Sequence, residues 1–137
     1  MRYLLLLIAV ASCSGCVSHT WTTFRFKETS HDGKLQSSSV ARVIDSTAIS
    51  GGFISQTDKM LREEPQVSWL RAYVKPLGRY NEVRIWAVDG DTIHITLDQL
   101  GKTPSKDYIN AETLLTNGLR KLDPTIEVRT TITPFFL

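Results

Sequence analysis

Asp89 and Asp91 flank Gly90 in the run Val88-Asp89-Gly90-Asp91-Thr92-Ile93, and a threonine hydroxyl follows directly. Clustered carboxylates are what a hard divalent cation takes as ligands. A cation held there polarises a phosphoryl oxygen or activates a water. The same residues are also a turn signal, because Asp and Gly suit tight backbone geometry. Both readings stand at this stage. The histidines, His19, His31 and His94, show neither His-x-His nor His-x-x-x-His spacing, so they offer no metal-ligand set. The chain has no Gly-x-Ser-x-Gly elbow, no phosphate-binding glycine loop and no paired carboxylates at a recognisable catalytic spacing. No catalytic residue, metal or cofactor is therefore assigned.

The run from Val88 to Ile93 resembles the strand–turn–strand Asp-Gly-Asp-Thr segment of staphylococcal-type thermonucleases. The resemblance implies a Ca²⁺-dependent phosphodiester hydrolase centred on Asp89-Gly90-Asp91-Thr92. It stops there: that family continues with an Arg-containing strand and an Ile-Asp-x-Pro-Glu segment, whereas this chain reads Thr96-Leu97-Asp98-Gln99-Leu100-Gly101. A second constellation is aromatic and basic. Trp69, Tyr73, Arg84, Trp86 and His94 fall in alternating runs and form a candidate binding patch, with a solvated strand histidine as the plainer reading of His94.

The N-terminus carries Arg2, the apolar run Tyr3 to Val10, and then Ala11-Ser12-Cys13-Ser14-Gly15-Cys16. A basic end, a short apolar stretch and small residues are the parts of a secretory signal peptide. With cysteine at its end, the segment resembles a bacterial lipoprotein signal, which implies cleavage before a lipidated Cys. Ser14-Gly15-Cys16 places Gly before the cut and favours Cys16; Val10-Ala11-Ser12-Cys13 makes Cys13 the alternative. In lipoproteins of this class an Asp after the modified Cys retains the protein at the inner membrane. Val17 (or Ser14) in that place implies a lipid-anchored protein of the outer membrane that faces the periplasm. The apolar run is itself too short to cross a bilayer, which takes about 20 apolar residues; an uncleaved helix packed on the domain is the alternative. With Cys16 modified and Cys13 removed, neither of the two cysteines remains for a disulfide, a zinc site or a thiol nucleophile.

Lys and Arg number 16 against 14 Asp and Glu, for a net charge of +2 that falls by one when Arg2 leaves with the signal. Nucleic-acid binding domains carry a strong basic excess or stripe, so nucleic acid is not expected as a partner. The organisation expected is a signal at 1–15, a short tether at 16–20 and one domain at 21–137. Four residues separate Cys16 from Trp21, a tether of no more than about 20 Å, so the domain should sit against its membrane.

These residues need elements to hold them. Trp21 to Lys27 reads as a first strand, with Phe24 and Phe26 on its core face and Trp21 suited either to the core or to a membrane–water interface. His31-Asp32-Gly33-Lys34 signals a turn. Between residues 38 and 50, Val40, Val43, Ile44 and Ala48 recur at helical spacing before Gly51-Gly52, although a hairpin strand also fits. A short helical turn from Asp58 to Glu64 ends at Pro65. Gln66 to Lys75 alternates Trp69, Arg71 and Tyr73 against Leu70, Ala72 and Val74. Glu82 to Val88 and Thr92 to Leu97 form a hairpin. A two-residue loop mixes their faces, whereas a loop Val88-Asp89-Gly90 opposes Ile85 to Ile93, Val83 to Ile95 and Arg84 to His94, with Gly90 left-handed in a G1 bulge. Thr103-Pro104 reads as N-cap and first helical residue. Ala111, Leu114, Leu115, Gly118, Leu119 and Leu122 then line one helical face up to Asp123-Pro124. Thr125 to Thr133 is a last strand, followed by the apolar Pro134-Phe135-Phe136-Leu137.

The fold expected is α+β: a mainly antiparallel sheet of four to five strands with one main helix, at about 104–122, packed on one face. The function expected is a non-enzymatic binding or assembly module. Its partners are the membrane, through the lipid, and another envelope protein, with any small-molecule ligand left open. The thermonuclease-like hydrolase is the alternative.

Overall fold

The structure is a computed structural model that describes residues 17–26, 37–79, 81–101 and 103–135. Cys13, Cys16, His31 and the turn at Asp32-Gly33 lie outside these residues. The described chain runs β1 (Val17–Arg25), α1 (Ser37–Gly51), β2 (Ile54–Ser55), α2 (Thr57–Glu63), β3 (Trp69–Pro76), β4 (Glu82–Asp89), β5 (Ile93–Gly101), α3 (Lys106–Leu122) and β6 (Glu127–Phe135). The strands form a six-stranded sheet in the order β2-β3-β4-β5-β1-β6, and every neighbouring pair is antiparallel. The expected α+β class is observed, with a wider sheet and with α1 as a second long helix. The segment 38–50 is therefore helical, not a strand.

Alternation gives the sheet two faces. One presents Thr20, Thr22 and Phe24 of β1, Val83, Ile85 and Ala87 of β4, and Ile93, Ile95 and Leu97 of β5, all buried. α1 brings Val40, Ile44 and Ala48 to this core, and α3 brings Tyr108, Ala111, Leu115 and Leu119. The α3 residues recur every three or four positions, so one stripe of the helix is covered. Leu114 and Leu122, expected in that stripe, lie at its margin at 43% and 36% exposure. Gly118 lies at the close approach of the two long helices, where a Cβ would come within 2.6 Å of Val43 Cγ1.

Three local expectations need correction. α3 is capped by Ser105, not by Thr103: Ser105 Oγ accepts the Tyr108 N–H at 3.1 Å. Buried Gln99 fixes that cap, its Oε1 accepting from both Ser105 N (3.0 Å) and Ser105 Oγ (2.8 Å). The β4–β5 register opposes Ile85 to Leu97, Arg84 to Asp98 and Val88 to His94, so the connection is Gly90-Asp91-Thr92. The faces fall as expected, but the pairing is displaced toward the C-terminus and Gly90 has no positive φ. Finally, β1 begins at Val17, so residues 17–20 of the expected tether belong to the sheet. The alternation there is carried by Ser18, Thr20 and Thr22, whose hydroxyls hide it from a hydrophobicity pattern. Thr22 Oγ1 is buried and hydrogen-bonds with Tyr108 OH at 2.6 Å and Thr130 Oγ1 at 2.9 Å.

Candidate functional site on the open sheet face

The sheet face away from α1 and α3 carries all three tryptophans of the chain. Trp21 stands on β1, opposed to Asp98 of β5 and Thr131 of β6. Trp86 stands on β4, opposed to Thr96 of β5. Trp69 reaches the same face through an irregularity in β3: it opposes Val88, whereas Arg71 opposes Ala87, so the strand is bulged between them. A bulge inserts one residue and reverses the side-chain alternation beyond it. That reversal separates Trp69 from Arg71 and Tyr73, which strict alternation had grouped together.

Asp98 is the hub of this face. It is 6% exposed and accepts two hydrogen bonds from Arg84, Nε to Oδ1 at 3.0 Å and Nη2 to Oδ2 at 2.6 Å. Planar guanidinium and carboxylate groups meet this way in strong, directional pairs. The Trp86 indole N–H also donates to Asp98 Oδ1 at 3.3 Å, and His19 Nε2 lies 3.2 Å from Oδ2. Around the hub the rings meet at a tilt: His19 against Trp21 at 4.9 Å between centroids and 43°, and Trp69 against Trp86 at 5.3 Å and 45°. The Arg84 guanidinium carbon lies 5.3 Å from the centre of the Trp86 ring, within cation–π range. The Trp69 indole N–H is shielded from solvent and has no acceptor among the described residues. Beside the hub, His19, Trp21, Thr23, Thr96 and Asp98 line a shallow depression of about 340 Å³.

Of the candidate patch, Trp69, Arg84 and Trp86 are brought together. His94 shares their face but lies at the hairpin end, opposed to Val88, exposed and 3.0 Å from the Thr92 hydroxyl, so it does not meet Arg84. Tyr73 does not belong to the patch. It lies on the helix-covered face and donates to Asp45 Oδ1 at 2.7 Å, beside the Arg71–Asp45 ion pair at 2.6 Å and 3.0 Å. Burial, then the neighbouring Asp45 carboxylate, pushes the Tyr73 phenol up to about 12. Burial opposes ionisation of Asp45, but hydrogen bonds from Arg71 and Tyr73 with the Arg71 charge outweigh it and hold the carboxyl below its usual range.

Asp98, His19, Thr23 and Thr96 were missed. The strand expected from sequence ends at Leu97, whereas β5 continues through Asp98 to Gly101. The signal available was parity: Asp98 follows His94 and Thr96 on the polar face, where Arg84 and Trp86 also fall.

The turn at Asp89 and Asp91 gathers no such set. Ser37 Oγ donates to Asp89 Oδ2 at 2.5 Å, and Asp91 is exposed. Among the described residues no three His, Cys, Asp or Glu side chains are placed to hold a metal ion. On the helix side, a depression between α1 and α3 is lined by Thr47, Ser50, Asn110 and Leu114, and Lys75 donates to Asp107 at its margin at 2.6 Å. No described helix is long and apolar enough to cross a membrane. Comparison with protein-family models, curated proteins and solved structures found no match to this chain.

Proposed function

We propose that this chain is a lipid-anchored protein of the bacterial outer membrane, facing the periplasm, whose domain is a non-enzymatic binding module. Its working surface is the open sheet face around Trp21, Trp69, Arg84, Trp86 and Asp98. The observation that carries this reading is the gathering of every tryptophan of the chain on the one sheet face that the long helices leave uncovered. Aromatic rings and arginine dominate recognition surfaces, because they bury large areas with few rotatable bonds. The Arg84–Asp98 pair holds these groups in place before any ligand arrives, and preorganisation of that kind lowers the entropy lost on binding. The lipid anchor rests on the sequence Ser14-Gly15-Cys16. With β1 starting at Val17, an acyl chain on Cys16 would hold the end of the sheet at the bilayer surface.

Two measurements test the two halves of this reading. Metabolic labelling with a palmitate analogue should mark the wild type and not Cys16→Ser, which should also leave the membrane fraction. Retained label in Cys16→Ser, lost in Cys13→Ser, moves the anchor to Cys13; label in neither wild type nor variants ends the lipoprotein assignment. For the surface, a photoreactive residue at Thr133, exposed on the open face opposite His19, should crosslink an envelope component. One at Lys121, exposed on α3, should not. The reverse pattern would move the working surface to the helices.

A further inference from the structure

We infer that the depression beside Trp21 is a saccharide subsite that takes an uncharged sugar ring of a glycan chain, an inference that rests on the open face being the working surface. The chemistry of its lining selects this class. Trp21, tilted at 43° against His19, presents an aromatic surface at the edge of the depression. A pyranose ring has a flat face of C–H groups that packs on such a ring, and a rim of hydroxyls that need partners. Partners are present. Thr23 and Thr96 are opposed across β1 and β5 within the depression, and neither hydroxyl bonds to another described residue. The Trp21 indole N–H is likewise unengaged among them. Two groups that donate and accept and one that only donates are thus turned to water, where a polyhydroxylated ligand can replace it.

The charge balance argues in the same direction. Asp98 is the only acid among the described residues of the lining, and its two oxygens are occupied by Arg84, Trp86 and His19. Arg84 and Asp98 compensate each other, so the pair aims no permanent cation at the depression that would select a phosphate or a carboxylate over a neutral ring. The depression is shallow and lies on an open sheet face, which suits one unit of a chain entering and leaving along the surface. Trp86 offers a continuation. From Trp21 it lies two strands across and one side-chain repeat along, about 12 Å from the spacings of a sheet. A short oligosaccharide therefore spans both rings.

The test uses the full chain in detergent micelles, labelled with ¹⁵N at tryptophan. The three tryptophans give three indole N–H signals, so each ring reports separately. N-acetylchitotriose and maltotriose are titrated in separate arms to distinguish an amino-sugar chain from a neutral hexose chain, with inorganic phosphate as the charged control. The Trp21 signal should shift saturably at millimolar concentration in one saccharide arm and stay still in phosphate. Thr96→Val and Thr23→Val keep the strands and remove one hydroxyl each; each should weaken binding several-fold, up to about tenfold for one hydrogen bond. Trp21→Ala should abolish the shifts of Trp86. No shift in either saccharide arm, a larger response to phosphate, or unchanged affinity in both Thr variants overturns the inference. If sugars fail while Thr133 still crosslinks an envelope protein, the saccharide assignment falls and the binding-module reading stands. If both fail, the open face is not the working surface.

Discussion

Removing either member of the Arg84–Asp98 pair should unmake the open face, and the size of the effect follows from burial. The side chains are 30% and 9% exposed, and the contact is bidentate with bonds of 3.0 Å and 2.6 Å. Stranding one member of a fully buried pair costs about 3–5 kcal/mol. Arg84 is open enough to turn its freed guanidinium to water, so Asp98→Ala should cost less, about 2–3 kcal/mol. That loss lowers the melting temperature by roughly 8–12 °C in a domain of this size. Arg84→Ala leaves the more buried carboxylate behind, supported only by Trp86 and His19, and should cost at least as much. In a double-mutant cycle of the two alanine variants, measured by urea unfolding followed by far-UV circular dichroism, the coupling should be about 1–2 kcal/mol, above the range of an exposed pair. Screening acts weakly on a shielded contact, so most of that coupling should survive at 1 M salt. A coupling below about 0.5 kcal/mol, or one abolished by salt, would refute the claim that this pair fixes the geometry of the face.

Gly118→Ala places a methyl group within 2.6 Å of Val43 Cγ1 and should destabilise by about 1–2 kcal/mol despite the better helix propensity of alanine; Val43→Ala in the same chain should recover part of that loss in urea unfolding, whereas additive losses would mean that the helices do not meet there. The Tyr73 phenol, raised from an ordinary 10.0 to about 12, contributes stability that is complete below pH 10 and lost as pH rises through 12; ultraviolet titration of wild type against Tyr73→Phe should show its ionisation only at that upper end. Asp45 has the opposite sign: its carboxyl lies below the ordinary 3.8, so its stabilisation is present above that value and is lost as pH falls through the depressed one. Asp45→Asn should therefore lower the melting temperature at pH 7 and flatten its decline below pH 4, and an unchanged acid limb would count against the Asp45–Arg71–Tyr73 cluster. Ser105→Ala should cost about 1 kcal/mol through the lost cap of α3, read by the same unfolding assay.

The parts of the fold that repeat regularly were readable from sequence. α3 declares itself through Ala111, Leu115 and Leu119, and β4 through Val83, Ile85 and Ala87 against Arg84 and Trp86. What escaped did so for identifiable reasons. Ser18, Thr20 and Thr22 occupy buried positions with polar side chains, so the first half of β1 carries no apolar alternation; the Thr22 hydroxyl is instead satisfied by Tyr108 and Thr130, and that of Ser18 by the Gly101 carbonyl. The hairpin faces were fixed by parity, but nothing local distinguishes one even register from the next, and the longer β5 selects the pairing that buries Leu97 and Gln99. Of the site, the grouping of Trp69, Arg84 and Trp86 followed from alternation. Tyr73 was misplaced because the bulge beside Trp69 leaves no mark in composition. Parity put Asp98 on that face, but its place as a hub also needs β1, which brings His19 and Trp21 alongside it from far away in the chain.

β1 has no partner near it in sequence. Its neighbours are β5, at Ile93–Gly101, and β6, at Glu127–Phe135, and it is wedged between them along its length. A chain emerging N-terminus first therefore cannot pair β1 until β5 has been made, and cannot cover the other edge of β1 until β6 follows. The sheet closes late around β1, through contacts of high sequence separation that slow folding. Until β6 arrives β1 keeps one open edge, and completing the sheet and covering that edge are one event.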